Sequence, residues 1–349
     1  MELRVEELAS ARQYVAAHDF ERLTDEQVTT IVARGRELFH WFKAHPYQHN
    51  AINAAVIIFV FVADYLVLMR LPGLFLEPGQ TASFGSVLLA SAIAGSVHSY
   101  LLYSLSSLSL HEAAAHRIVF LGSGRIARAA QRVAANLCRL AASEPDYYAT
   151  GHMAHHAKFG TEDDAEFLNF VFPRRYYLTF LPLAAFMNFT DFIAHRPPTY
   201  TRSRIISAVA STAYSGLYLV LTWQLWGPVF ALLTMFVFLP HVGFFLDRLR
   251  QFTEHNLMPL ENRNGSRSFG VGFWGLLVGG GPWGSPCHLE HHLVPSIPWY
   301  QQLSLHRFVK RVMTPRQRKH FMLTPVIGFP LLWWRLVREL HAFHPTSRS

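Results

Sequence analysis

The sequence has few charged residues and few cysteines. Asp, Glu, Lys and Arg make up 15% of its 349 residues, whereas a soluble domain carries about 25%. Its only two cysteines, Cys138 and Cys287, exclude a disulfide-based fold. Apolar residues make up 51%, so the composition also excludes a disordered chain. These proportions predict an all-α integral membrane protein.

The first 45 residues lack the basic start and apolar middle of a signal peptide. Thr24 and Gln27 have the spacing of a capping box, which begins a helix. Apolar residues follow at helical intervals: Val28, Ile31, Val32, Leu38, Phe39 and Phe42. We expect cytoplasmic or interfacial helices over residues 1–47, a membrane domain with a di-iron site over 48–310, and an interfacial C-terminal segment over 311–349.

Four apolar segments are long enough to cross a hydrocarbon core of about 30 Å, which takes about 20 helical residues. They are Ala51–Leu71, Phe84–Leu110, Arg204–Trp226 and Gly227–Asp247. The second is longer than required, so we expect its helix to continue out of the bilayer. A fifth apolar stretch, Phe167–Phe192, is interrupted by prolines and arginines and is interpreted as interfacial or re-entrant.

Basic residues are distributed unevenly around these segments. Six of the 31 precede the first segment, eleven lie from His111 to Arg204, and thirteen follow from Arg248. Because cytoplasmic loops carry the excess of Lys and Arg, we expect both termini and the long middle segment to be cytoplasmic, in a bacterial inner membrane or an ER-type membrane. The net charge of +8 then reflects topology, and we expect no nucleic-acid partner.

Three ionisable residues lie inside the predicted spans. Asp64, His98 and His241 are costly in lipid, so they mark a pathway or substrate channel, or they are satisfied against a neighbouring helix.

Histidine is abundant, with 20 residues, and eight of these form three clusters outside the spans. The clusters are His111 and His116, then His152, His155 and His156, then His288, His291 and His292. Residues at i, i+3 and i+4 share one face of a helix, and imidazole binds iron, zinc or copper. Eight ligands exceed the needs of one ion, so the pattern predicts two metals in a cytoplasmic helical cap.

The first cluster has a different spacing from the other two. His111 and His116 are separated by about 140° on an ideal α-helix. They must therefore lie at a distorted or terminal part of a helix, or contact different metals.

Two segments carry a resemblance to a known family. Thr253-Glu-His-Asn-Leu, followed by Cys287-His-Leu-Glu-His-His-Leu-Val-Pro-Ser-Ile-Pro-Trp299, resembles the closing signature of the membrane fatty acid desaturase family. The segment from His155 to Glu166 resembles that family's middle box and its acidic tail. The likeness covers about residues 50 to 305. It implies a non-haem di-iron centre, with His255 as a further ligand. The implied metal ligands are His111, His116, His152, His155, His156, His255, His288, His291 and His292.

The resemblance also implies a reaction. We expect two Fe²⁺ ions, with O2 as cosubstrate, to oxidise an unactivated C–H bond of a fatty acid or fatty acyl chain, most simply by desaturation. A fatty acid hydroxylase, a carotenoid-type ketolase and a decarboxylase that forms a terminal alkene remain alternatives on the same scaffold. A metal transporter or sensor is a remote alternative. Neither end of the chain resembles a cytochrome b5 domain, so we expect a separate electron-donor protein of ferredoxin, rubredoxin or cytochrome b5 type.

Acidic residues beside the boxes have two interpretations. Asp163, Asp164 and Glu166 either hold ligand histidines in the required tautomer or are simply solvated. Glu112 and Glu290, which adjoin ligands, either hold histidines in the same way or move protons. Cys287 is interpreted as a small buried residue and not as a thiolate ligand.

Overall fold

The computed structural model describes residues 12–13, 15–141, 143–161, 163–164, 202–255, 258–284, 286–323 and single positions from 331 to 338. The described residues form helices and no strand, and their single isolated β-bridge joins Ser268 and Met322. The chain divides into two compact units. The first unit comprises Met1–His45, Tyr147–Tyr176 and Arg248–Ser349, and the second comprises Pro46–Asp146 and Tyr177–Asp247. The division into residues 1–47, 48–310 and 311–349 describes where each segment lies relative to the membrane, and it stays a prediction.

Helices of the second unit carry the apolar segments. They are α2 (Pro46–Met69), α3 (Phe84–Ser107) with a π-helical extension (Leu108–Ala115), α4 (Arg125–Asn136), α6 (Arg202–Trp226), α7 (Pro228–Leu232) with a π-helical continuation (Leu233–Phe238), and the residues of α8 (Leu239–His255) up to Asp247. Short 3-10 turns occur at Leu71–Leu74 and Leu137–Ala141.

Four of these helical stretches are long and apolar enough to cross a membrane. They are Pro46–Met69, Phe84–Ala115, Arg202–Trp226 and Pro228–Asp247, so each of the four predicted segments forms a helix that could span a membrane. The second extends past Leu110, as its length predicted. Among the described residues, between 17% and 39% of each apolar window is buried. The predicted interfacial stretch Phe167–Phe192 lies outside the described residues.

Polar contacts and close packing join the spans of the second unit. The ring of His98 bonds Asp64 at 2.5 Å, and the Tyr214 hydroxyl donates to the same carboxylate at 2.6 Å. Asp64 and His98 are thus satisfied against neighbouring helices, which was one of the two predicted readings. His241 is bonded to the Val237 carbonyl of the preceding π-helical turn. At Gly95 an added Cβ would lie 2.7 Å from the Phe238 Cβ, so only glycine permits this close approach of α3 to the fourth span.

The first unit is built around an apolar core. Its helices are α1 (Asp25–Ala44), α5 (Pro145–Lys158) from Tyr147, the last residues of α8, α9 (Phe273–Val278), α10 (His288–Leu293), α11 (Trp299–Val312) and α12 (Pro315–Phe321). The predicted capping box is present, because the Thr24 hydroxyl accepts from Gln27 N and the Gln27 side chain accepts from Thr24 N. Ile31 of α1 packs with Leu289, Leu305 and Val309 in this core. The core thus joins α1 to α10 and α11, and α10 carries three of the predicted metal ligands.

Candidate metal centre

Helix α10 carries the last histidine box of the sequence. His288, His291 and His292 are buried and lie on one face, as their spacing predicted. The helix has only six residues and no N-cap side chain of its own. Instead the Ser268 hydroxyl, 21 residues away in the chain, accepts from Leu289 N at 3.0 Å. Tertiary contacts therefore hold this helix, because so short a segment is not stable alone.

One group of imidazole nitrogens converges on His288; we call it the His288 cluster (His155, His255, His288 and His292). His288 Nε2 lies 2.8 Å from His255 Nε2 and 3.1 Å from His292 Nε2. Ligand atoms of His155, His255 and His292 all lie within 4.8 Å of one another. Glu254 is adjacent, with a carboxylate oxygen 3.5 Å from His288 Nδ1. Four rings, all buried, thus direct nitrogen atoms toward one small volume.

A second group converges on His156; we call it the His156 cluster (His152, His156 and His291). His156 Nε2 lies 2.8 Å from His291 Nε2 and 3.1 Å from His152 Nε2. The Tyr148 ring stacks on His152 at a centroid distance of 5.3 Å. The first unit therefore brings seven of the nine predicted ligands together in two neighbouring groups, linked by contacts such as that between the His156 and His292 rings.

Hydrogen bonds on the outer side of the His288 cluster determine where its protons lie. His255 Nδ1 donates to the Gly265 carbonyl at 2.9 Å, and His292 Nδ1 to Asn262 Oδ1 at 2.7 Å. His155 Nδ1 donates to the Asp164 carboxylate at 2.8 Å. With Nδ1 protonated, the Nε2 atom of each neutral ring presents a lone pair to the cluster.

The charge state of the rings also suits a cation. Burial, followed by repulsion from His288, His255, His156 and His155, holds the pKa of His292 well below its ordinary value. A neutral imidazole is the form that binds a metal. Lone pairs that face one another at 2.8–3.1 Å are stabilised by a cation between them, so this donor set fits a transition-metal ion with nitrogen ligands.

The second unit contains the remaining predicted ligands, His111 and His116. Their ring centroids are 5.0 Å apart. The local helix is π-helical, and His116 N donates to the His111 carbonyl at 3.1 Å. Because a π-helix bonds residue i to residue i+5, it brings together two rings that an α-helix would separate. The prediction of a distorted helix end is confirmed.

The acidic residues beside the boxes behave differently from one another. Asp164 is fully buried against His155 and also accepts from Gly160 N at 3.0 Å. Its neighbour Asp163 is exposed and pairs with Lys158. Glu112 bonds His111 Nδ1 at 3.0 Å. Glu166 lies outside the described residues. The interpretation as histidine partners thus holds for Asp164 and Glu112 and fails for Asp163.

Glu290 has a different role from the one expected of it. Its carboxylate is fully buried and bonds no ligand histidine; it accepts from the Ser268 hydroxyl and from His306 Nδ1 at 2.8 Å. Burial alone would raise the pKa of Glu290, but the attraction of His306 and the hydrogen bonds from His306 and Ser268 lower it. These hydrogen bonds therefore attach the side of α10 that carries Glu290 to α11 and to the loop that contains Ser268. Sequence reasoning missed Ser268 and His306, since neither lies in a box.

Cys287 borders the last box without joining either cluster. It is fully buried. Burial, followed by the nearby charge of Glu290, raises the pKa of its thiol well above the ordinary value. A thiol in this environment rarely ionises to the thiolate that binds a metal, which agrees with the interpretation of Cys287 as a small buried residue.

Comparison with known proteins gives one positive result. A family model described as fatty acid desaturase matches residues 88–324. The matched part contains all nine predicted histidine ligands. None of the curated proteins compared with the chain matches it.

Proposed function

Because this chain belongs to the fatty acid desaturase family, we propose that it is a membrane-bound, oxygen-dependent desaturase of fatty acyl chains. We propose that two Fe²⁺ ions are its cofactors and that nine histidines hold them: His111, His116, His152, His155, His156, His255, His288, His291 and His292. The observation that carries the proposal is the His288 cluster, in which His288 Nε2 lies 2.8 Å from His255 Nε2.

The surrounding residues give these rings the tautomer that a metal requires. The Gly265 carbonyl, Asn262 and Asp164 each accept the Nδ1 proton of one ring. Such acceptors fix ring orientation and raise the basicity of the free nitrogen. When bound, two irons supply the activation of dioxygen that an unactivated C–H bond requires. Desaturation removes one hydrogen from each of two adjacent methylenes; together with two electrons from a donor protein and two protons from solvent, these hydrogens reduce dioxygen to two waters.

The membrane helices support a long apolar substrate. Four helices long and apolar enough to span the membrane would give an acyl chain in the bilayer direct access to the protein. We propose that the clusters and both termini face the cytoplasm, as the placement of Lys and Arg predicts. A separate ferredoxin, rubredoxin or cytochrome b5-type protein would then deliver electrons from that side.

Lipid analysis tests the reaction. Cells that express the gene, supplied with deuterated saturated fatty acid, should accumulate a chain with one new double bond. Cells that express His155→Ala should not, whereas His40→Ala, which removes an exposed histidine outside the clusters, should behave as wild type. A new hydroxyl or keto group, or an alkene lacking one carbon, would replace desaturation with hydroxylation, ketolation or decarboxylation.

Metal analysis of the purified protein tests the cofactor. We expect about two irons per chain, and less iron in His155→Ala and His291→Ala at unchanged helix content. Full activity in a chelator-treated or zinc-only preparation would contradict the di-iron proposal.

A further inference from the structure

Helix α4 (Arg125–Asn136) has three chemically different sides. Arg125, Arg128 and Arg132 lie on one side at intervals of three and four residues and are exposed. Ile126 and Val133, seven residues apart, form a second side and are 86% and 62% exposed. No acidic residue occurs between Glu112 and Glu144. Among the residues that the structure describes, none of the three arginines forms an ion pair, so the helix presents three positive charges beside a strip of exposed apolar side chains.

The buried side of α4 is fastened to the end of the second span. The Ser109 hydroxyl donates to the Ala134 carbonyl at 2.6 Å, and Gln131 Nε2 donates to the Ala113 carbonyl at 2.7 Å. Gln131 Oε1 also accepts from Phe120 N at 2.7 Å. These bonds hold the second half of α4 against the last turns of the second span.

The length of that span gives the height of α4 in the bilayer. The span contains 32 residues, or about 48 Å at about 1.5 Å per residue, against a hydrocarbon core of about 30 Å. Ser109 and Ala113 lie about 38 and 44 Å from its start at Phe84 by the same rise. With headgroups included, a bilayer is about 40–45 Å thick. With Phe84 at one face of the bilayer and the helix along its normal, α4 would lie at the level of the headgroups on the other face.

We propose that α4 is an interfacial helix that binds anionic phospholipids. Its three guanidinium groups would bind lipid phosphates, for which the planar, multiply donating group of arginine is suited. Ile126 and Val133 would enter the boundary between headgroups and acyl chains. A basic polar side with an apolar side at this depth is the pattern of helices that lie in the membrane plane. The attachment of α4 to the end of a predicted membrane span favours lipid over an acidic soluble protein.

Retention of lipid by the full-length protein tests the charged side. The purified protein is reconstituted in nanodiscs of phosphatidylcholine with added phosphatidylglycerol, and bound phosphatidylglycerol is measured after extraction into detergent. Because each basic residue near an anionic surface contributes about 1 kcal/mol, each Arg→Gln change at Arg125, Arg128 or Arg132 should weaken retention about fivefold. The control removes three exposed charges from α12 instead (Arg316, Arg318 and Lys319 to Gln) and should leave retention unchanged.

Accessibility of spin labels tests the apolar side. A nitroxide on Ile126→Cys or Val133→Cys should collide mainly with membrane-dissolved oxygen, and one on Arg128→Cys mainly with a water-soluble nickel complex. The native Cys138 and Cys287 are both buried. Equal exposure of all three labels to water would overturn the proposal. So would a triple Arg→Gln variant that keeps its phosphatidylglycerol but no longer binds an acidic electron-donor protein, because α4 would then be a protein-docking surface. Circular dichroism and thermal unfolding verify that each variant is folded.

Discussion

The buried contact between Glu290 and His306 offers a sharp test of how the last histidine box is held. Glu290 is fully buried and accepts two hydrogen bonds, from His306 Nδ1 at 2.8 Å and from Ser268. Removal of the carboxylate leaves two buried donors without an acceptor, at about 1–3 kcal/mol each. Glu290→Ala should therefore lower the free energy of unfolding by about 3–5 kcal/mol.

A milder substitution separates charge from shape. Glu290→Gln keeps one oxygen acceptor but turns charge-assisted bonds, worth about 1.5–3 kcal/mol, into neutral ones worth about 0.5–1.5 kcal/mol. We expect Glu290→Gln to lower the free energy of unfolding by about 1–3 kcal/mol, so that its stability lies between those of wild type and Glu290→Ala. Glu37→Gln is the matched control. That carboxylate is 65% exposed in a surface pair with Arg34, so its loss should change stability by less than about 1 kcal/mol.

A double-mutant cycle in detergent decides whether the two residues act as a unit. His306→Phe should cost much less in the Glu290→Ala background than alone, with an interaction energy of about 1–3 kcal/mol. Thermal unfolding followed by tryptophan fluorescence ranks the variants by stability. Strictly additive losses, or a Glu290→Gln protein as stable as wild type, would refute the inference that this network fixes α10.

Three further predictions concern other contacts. Asp164→Asn should weaken iron retention against a chelator by about 10–100-fold, whereas Asp163→Asn, at an exposed position, should not; equal retention would count against the assigned role. Tyr214→Phe removes a donor to a buried carboxylate and should cost about 1–3 kcal/mol in thermal unfolding, unlike Tyr65→Phe on an exposed side chain. Burial and nearby arginines lower the pKa of His320 from 6.5 to about 3. The stability that neutral His320 contributes to the folded state is therefore complete above pH 6.5 and is lost as the pH falls toward 3. Stability should fall by about 2 kcal/mol from pH 7 to about pH 5, and His320→Gln should flatten that slope; an unchanged slope would exclude His320 as its source.

Features that depend on neighbouring residues were accessible from the sequence. The capping box at Thr24 and Gln27 is formed as expected, because its partners are three residues apart. The four spans follow from hydropathy over about 20 residues, and the helix after Phe84 continues beyond Leu110 as its length required. The faces of the boxes followed from helical periodicity, which aligned His288 with His291 and His292.

Features that depend on tertiary proximity were not accessible. His306 is 16 residues from Glu290, and Asn262 is 30 residues from His292; neither pair has a spacing that marks it. Asp163 and Asp164 are neighbours with the same charge, yet only Asp164 contacts His155. The backbone conformation of the turn after α5 determines which of the two side chains points toward the cluster. The grouping of seven histidines likewise required the packing of α5, α8 and α10, which no local pattern specifies.

The π-helical end of the second span has a consequence for changes in chain length. A π turn contains one residue more than an α turn. Deletion of a single residue between His111 and His116 would place the two histidines at i and i+4, which share one face of an ordinary α-helix, so the rings would stay on the same side while the bilayer crossing from Phe84 stays intact. The π turn therefore gives two histidines five residues apart the same pairing that a spacing of four would give in an α-helix.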